Sequence, residues 1–233
     1  MRLTKEQHKE IIELYTNKVM TQTQLAKQYG VSSAAISKLV NKPTKLLNHL
    51  TFAFVGSRSL IQDEYSKEAE YFFNVVTKCA KLGINFRSGG ADGTDYIAEC
   101  AYYFANVSTK VEVYVPDINF NKYMRRFPAE HYIVPDTSTL SFRIDIIRRV
   151  HPAYNRLTPY ALQLHCRSVN QISGDDLEHN VNAVVCWTPN GEVEGGTRTA
   201  IVIAEMLDIP VFNLGKDPIA VTEQLLQFID KSR

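Results

Sequence analysis

A glycine pair occurs twice in this chain, each time between a strand-like run and a helix-like run. Gly89-Gly90-Ala91-Asp92-Gly93-Thr94 leads into Asp95-Tyr96-Ile97-Ala98-Glu99. Gly195-Gly196-Thr197-Arg198-Thr199 leads into Ala200-Ile201-Val202-Ile203-Ala204-Glu205. Strand, glycine turn and helix in succession leave backbone N–H groups free at the positive end of a helix dipole, where an anion is stabilised. Two such turns in one sheet suit a nucleotide or another phosphorylated ligand better than a lone phosphate. The same succession constrains the fold, because strands alternating with helices imply a parallel sheet covered on both faces.

The rest of the C-terminal region keeps that alternation. Leu50 to Val55 is a β-rich run ending at Gly56, and 63–82 reads as a helix. Ile84 to Arg87 is a short strand, 95–105 a helix, and Val111 to Val115 a strand closed by Pro116. After 158–172, a helix, come the strand Val181 to Trp187, the helix 198–207, the strand Pro210 to Leu214 and a last helix over 218–230. The expectation over 50–233 is an α/β domain with a Rossmann-like, doubly wound, mainly parallel sheet. Residues 117–155, broken by Pro128, Pro135 and Pro152, read as an irregular insertion.

Residues 1–45 follow another pattern and are expected to form a small all-α helix-turn-helix domain. A helix over 4–17 begins at Thr4, with Gln7 placed for a capping box, and Ile11, Ile12, Leu14 and Tyr15 mark its apolar face. Thr21 opens a second helix, Gln22 to Tyr29, which Gly30 ends; a third runs from Ser33 to Asn41 before Pro43. Ala26 is small enough to let two helices approach, with Val31 and Ile36 between them. Lys42 to Asn48 reads as a linker.

Charge separates the two regions. The chain of 233 residues has net charge +1. Residues 1–50 hold eight Lys/Arg and three Glu, so the remainder is acidic by four charges. A basic segment on an acidic body points to a polyanion partner for the first segment. Ser32, Ser33, Ala34, Ser37 and Lys38 are then the groove-facing positions of a recognition helix, with Lys27, Lys42 and Lys45 on phosphates. A three-helix module that binds protein fits the same pattern. Cys79, Cys100, Cys166 and Cys186 include no C-x-x-C pair, which argues against a zinc ribbon or a disulfide scaffold, and no metal site is expected. No signal peptide and no long apolar run appear, so the cytosol is the expected compartment and no membrane partner is expected.

Ligands of open α/β sheets sit beyond the carboxyl ends of the strands. Gly56, Ser57 and Arg58 end the first strand, with Arg58 a planar fork for phosphate or carboxylate. Gly89, Gly90, Asp92, Gly93 and Thr94 form the first turn; Gly195, Gly196, Thr197 and Arg198 form the second. Arg167, Asn170 and Gln171 share one helix at spacings of three and four residues, a polar face aimed at a pocket or at solvent. Glu99 and Asp95 are the candidate catalytic carboxylates. His151, Tyr154 and His165 are isolated acid–base or stacking candidates, and Trp187 closes its strand as either a base-stacking or a core residue. Each of these is also open to a plain structural role in a turn, a solvated face or the core.

These motifs in this order, with Phe54-Val55-Gly56-Ser57-Arg58, Ser88 to Asp95, Arg167-x-x-Asn170-Gln171 and Gly195-Gly196-Thr197, resemble the SLOG superfamily of Rossmann-like domains. Residues 164–214 look most like its DprA-like members common in bacteriophage genomes. The resemblance covers roughly residues 50–215 and implies a nucleotide or phosphate pocket lined by these motifs, DNA processing or recombination, and bacterial or phage-infected host cytosol. It leaves catalysis open. The P-G-G-x-G-T-x-x-E motif of LOG-type phosphoribohydrolases is matched by neither turn: Glu99 follows Thr94 two positions late, and Arg198 stands where that motif has Gly. The expected function is thus a DNA-associated nucleotide- or phosphate-binding protein. A nucleotide sensor or sequestering protein and a nucleotide N-glycosidase are the alternatives. No cofactor is assigned beyond a nucleotide ligand. Domains of both kinds often pair, so a homo-oligomer is a further expectation.

Overall fold

A computed structural model describes residues 3–16, 19–40 and 49–232 of the chain. The chain divides into two compact units, Met1–Lys45 and Leu46–Arg233.

In the first unit, α1 (Lys5–Thr16), α2 (Gln22–Tyr29) and α3 (Ser33–Val40) surround a small core of Ile11, Leu25, Ala26 and Ile36. Side-chain caps start all three helices. Thr4 and Gln7 exchange the two hydrogen bonds of a capping box, and Thr21 and Gln24 form another. Ser32 Oγ accepts the Ala35 N–H ahead of α3. Gly30 ends α2 at φ +64°, a left-handed position that glycine adopts without steric cost. Ile12, expected on the apolar face, is exposed instead. The expected linker Lys42 to Asn48 lies outside the described residues, as do Asn41 and Pro43.

The second unit is an α/β fold. Its strands are β1 (Thr51–Gly56), β2 (Asn85–Ser88), β3 (Val111–Tyr114), β4 (Tyr132–Ile133), β5 (Ala183–Trp187) and β6 (Val211–Asn213). They form one sheet in the order β4-β3-β2-β1-β5-β6, and every pairing is parallel. The central strands TFAFVG and AVVCW are apolar on both faces, as a strand covered from both sides must be. Phe52 and Phe54 of β1 face α4 (Ser66–Lys81), α5 (Thr94–Ala105) and α9 (Pro218–Lys231). Ala53 and Val55 face α6 (Leu140–Val150), α7 (Pro159–Ser173) and α8 (Thr197–Met206). The sheet grows from β1 through β2 and β3 under the first helix layer, and from β5 to β6 under the second. A uniform crossover hand requires this switch of layer when the chain reverses direction. The arrangement is compatible with the Rossmann-like expectation.

The expectation of an irregular stretch over 117–155 needs correction. It contains the edge strand β4 and the 11-residue helix α6, whose Ile147 and Val150 are buried. Pro135 and Pro152 lie outside the helix on either side, so they bound it rather than break it. Among the described residues no helix is long and apolar enough to cross a membrane.

Candidate functional site

The order of the sheet decides where a ligand can sit. Winding leaves β1 towards β2 and returns to β5 on its other side, so the β1/β5 boundary is the switch point where open α/β sheets form a crevice beyond their carboxyl ends. A cavity of about 540 Å³ lies there. Its wall takes Gly56, Ser57, Arg58 and Ser59 from the end of β1, and Thr188 and Pro189 from the end of β5. Ala91 and Asp95 come from the first glycine turn, Arg167 and Gln171 from α7, and Glu194, Gly195, Gly196 and Thr197 from the second turn. A hollow of about 610 Å³ elsewhere holds Arg87 paired with Glu112 at 2.9 Å and His179 Nδ1 2.6 Å from Asp176 Oδ2.

The two glycine turns differ in one respect. In the first, the chain's own carboxylate sits where an anion would. Asp95 Oδ2 accepts the N–H groups of Gly89 (3.2 Å) and Ala91 (3.3 Å), and Arg167 Nη1 lies 3.5 Å from the same oxygen. With its amide oxygen turned to these donors, Gln171 also accepts from Gly89 N–H at 2.9 Å and Arg167 Nη1 at 3.1 Å. The Arg167 guanidinium lies directly over Gly89, where a Cβ would collide with it, so a side chain at this position would push Arg167 off its place beside Asp95. Burial raises the pKa of Asp95, and Arg167 with the two backbone N–H groups opposes the rise by favouring the charged form. Three donors converge on Oδ2. Oδ1 accepts no hydrogen bond from the described residues, and Asp95 lines the cavity.

In the second turn no acceptor among the described residues takes the N–H groups of Gly195, Gly196 or Thr197. All three line the cavity at the start of α8, and a Cβ on either glycine would meet open space. Arg58 stands exposed on the same wall, beside Ser57 Oγ and Ser59 Oγ, which are 2.7 Å apart.

Several expected ligand groups lie elsewhere. Arg198 does not line the cavity; its Nη1 donates to the Val150 carbonyl at 2.8 Å. Asn170 is fully buried, accepting from Arg143 Nη1 and donating to the Gly174 carbonyl. Thr94 Oγ1 donates to the Ser57 carbonyl at 2.9 Å, and Gly93 opens α5 at φ +77° against that same segment. Asp92 Oδ1 and the Gly90 carbonyl both accept from Asn121 Nδ2, which pins the loop. Glu99 is also outside the cavity. Tyr132 donates to it at 2.6 Å while accepting the Arg126 N–H, and burial pushes the Glu99 pKa up to about 7. Trp187 packs on the other side of the sheet, edge-on to Tyr65 at 4.9 Å.

His165 is the residue that sequence reasoning undervalued. It lines the cavity, with Nδ1 2.8 Å from Thr199 Oγ1 and its ring 4.5 Å from that of His151. Burial, with His151 and Arg167 nearby, lowers its pKa to about 4, so the imidazole is neutral at pH 7. Ser168, Thr188 and Glu194 also line the cavity without having stood out as single polar residues in the chain. Tyr154 lies under Arg148 at 5.3 Å.

In the N-terminal unit Lys27, Ser32, Ser33, Ala34 and Lys38 are exposed and Ser37 is half-buried. Lys42 and Lys45 lie outside the described residues. Searches of family models, curated proteins and solved structures find no match to this chain.

Proposed function

We propose that the α/β unit binds a nucleotide or another phosphorylated ligand in the cavity at the β1/β5 switch point, and that the three-helix unit is a helix-turn-helix that carries it to DNA. The observation that supports this most is the set of unpaired N–H groups of Gly195, Gly196 and Thr197. They open α8 into a cavity that also holds Arg58. An anion there gains hydrogen bonds and the favourable end of the helix dipole together. The phosphate site is therefore the second turn with Arg58, and Ser57, Ser59 and Gln171 orient the remainder of the ligand.

The resemblance to DprA-like SLOG proteins supports a place in DNA processing or recombination, and the basic, capped three-helix unit is consistent with it. Exposed Lys27 would meet a phosphate while Ser32, Ser33, Ala34, Ser37 and Lys38 face a groove. The nucleotide-sensing alternative uses the same cavity. The N-glycosidase alternative rests on Asp95 alone, because Glu99 is sealed beneath Tyr132.

Mass spectrometry of small molecules released from purified protein tests the ligand. A bound nucleotide or phosphorylated compound supports the reading. An empty protein whose melting temperature no nucleotide or phosphate shifts overturns it. Duplex binding by the full chain tests the DNA arm. A Lys27→Glu/Lys38→Glu double variant should bind more weakly, with a salt slope smaller by about one for the phosphate contact of Lys27. Unchanged binding and slope remove the three-helix unit as the DNA site.

A further inference from the structure

Residues 117–131 run from β3 to β4 and lie against the first glycine turn. Asn121 Nδ2 donates to the Gly90 carbonyl at 3.0 Å and to Asp92 Oδ1 at 3.2 Å. The Arg167 guanidinium stands over the Phe120 ring at 5.8 Å, so the segment also meets the pair that closes the turn. Arg125 folds the segment on itself. Its Nη2 donates to the Ile118 carbonyl at 2.7 Å and the Phe120 carbonyl at 3.3 Å, and its guanidinium lies over the Tyr132 ring at 4.3 Å. The far end is held by one atom. Tyr132 Oη accepts the N–H groups of Arg126 (2.9 Å) and Phe127 (3.4 Å), and its own proton goes to Glu99 Oε2 at 2.6 Å. Glu99 is 3 % exposed, so the segment hangs on a carboxyl group kept from water.

We propose that residues 117–131 form a proton-latched strap, closed against the first glycine turn while Glu99 keeps its proton and released when Glu99 ionises. An ionised carboxylate without water is costly, and opening the strap lets water reach it. Burial is the largest influence on Glu99 and pushes its pKa up to about 7. Asp95, one turn earlier on α5, adds to the rise, while the Tyr132 hydroxyl, the Arg126 N–H and Arg125 oppose it. Val113 and Val115, at the end of β3, share the space beside Gly90 with Glu99 Oε1. The thiols of Cys79 on α4 and Cys100 on α5 are held neutral by burial, at about 12 and about 11. His131 stands on the strap itself, with Nδ1 3.1 Å from the Val111 carbonyl. In the open strap Glu99 returns to an ordinary 4.5, so opening grows with pH between 4.5 and 7 and levels off above 7. Release frees Gly90 and Asp92 from Asn121 and takes Phe120 from Arg167, so proton loss at Glu99 loosens the turn that Asp95 closes.

The test is amide hydrogen exchange of the full chain at Arg126 and Phe127, from pH 5 to pH 8, with Glu99→Gln as the reference. Intrinsic exchange at these two amides is the same in both proteins, as is any titration of His131, so the ratio of wild-type to variant rates reports Glu99. The ratio should rise about 40-fold between pH 5 and pH 7 and level off above pH 8. Both amides should also exchange faster than those of β1 and β5, which marks opening of the strap rather than of the whole domain. A ratio that stays constant with pH overturns the inference. Exchange at Arg126 and Phe127 as slow as in β1 and β5 overturns it too. If Glu99→Gln fails to fold, the wild-type rates divided by those of an unstructured peptide spanning Arg126 and Phe127 carry the same slope.

Discussion

The two glycine turns begin alike and end differently. Both follow a parallel strand, both open a helix, and both border one cavity. The first is closed by its own Asp95 and clamped by Arg167 from α7. The second keeps its N–H groups unpaired. The first turn carries its acceptor within the chain, and in the proposed reading the second leaves that place to a ligand. The internal carboxylate ties the β2–α5 turn to α7, whereas the second turn is the proposed binding element. The comparison predicts that damage to the first turn appears as lost stability and damage to the second as lost affinity.

The largest effect is expected from Arg167→Leu. It leaves Asp95 buried without its counter-charge, and breaking such a pair costs about 3–5 kcal/mol. Chemical denaturation measures it, and a loss below about 1 kcal/mol would mean that the first turn does not depend on the pair. Next is Glu99→Gln, one turn after Asp95 on α5. The Glu99 pKa, raised to about 7 from an ordinary 4.5, makes folding favour its protonated form. This contribution is full below pH 4.5 and is lost as pH rises through 7, on the order of 3 kcal/mol in all. Relative to wild type, Glu99→Gln should flatten stability between pH 4.5 and 7 and be the more stable protein at pH 8. Parallel pH profiles for the two proteins would refute the assignment.

At the second turn Gly196→Asp converts the open socket into a closed one. Gly196 has ordinary helical backbone angles (φ −65°, ψ −32°) and room for a side chain. Stability should be kept or rise by about 0.3–1 kcal/mol, while phosphate-ligand affinity drops by about a hundredfold. Retained affinity would place the anion elsewhere. Arg58→Ala should weaken the same ligand about tenfold or somewhat more, the worth of a charge-assisted hydrogen bond, with no change in melting temperature.

The alternation of strands and helices was legible because β1 and β5 are continuous apolar runs punctuated by glycine, a pattern local in sequence. The capping boxes of the N-terminal unit were legible in part, Thr4 with Gln7 directly and Thr21 as a helix start, because a box spans only three residues. The helix α6 was hidden by flanking prolines that turn out to bound it. The closing of the first turn was not legible, since it depends on Arg167, which reaches Asp95 only through the packing of α7. Helical phase explains two more departures. Successive residues project about 100° apart, so with Thr197 on the cavity Arg198 points to α6, and with Arg167 and Gln171 on it Asn170 points into the core. His165 stood out only as an isolated histidine, and its partner Thr199 comes from another helix.

The central claim is that the second turn is the open socket and the first is filled. Backbone amide NMR of the ¹⁵N-labelled protein titrated with inorganic phosphate tests it at the atoms concerned. The account predicts saturable shifts at Gly195, Gly196 and Thr197, with Gly89 and Ala91 unmoved. Shifts at Gly89 and Ala91 while residues 195–197 stay still would contradict it.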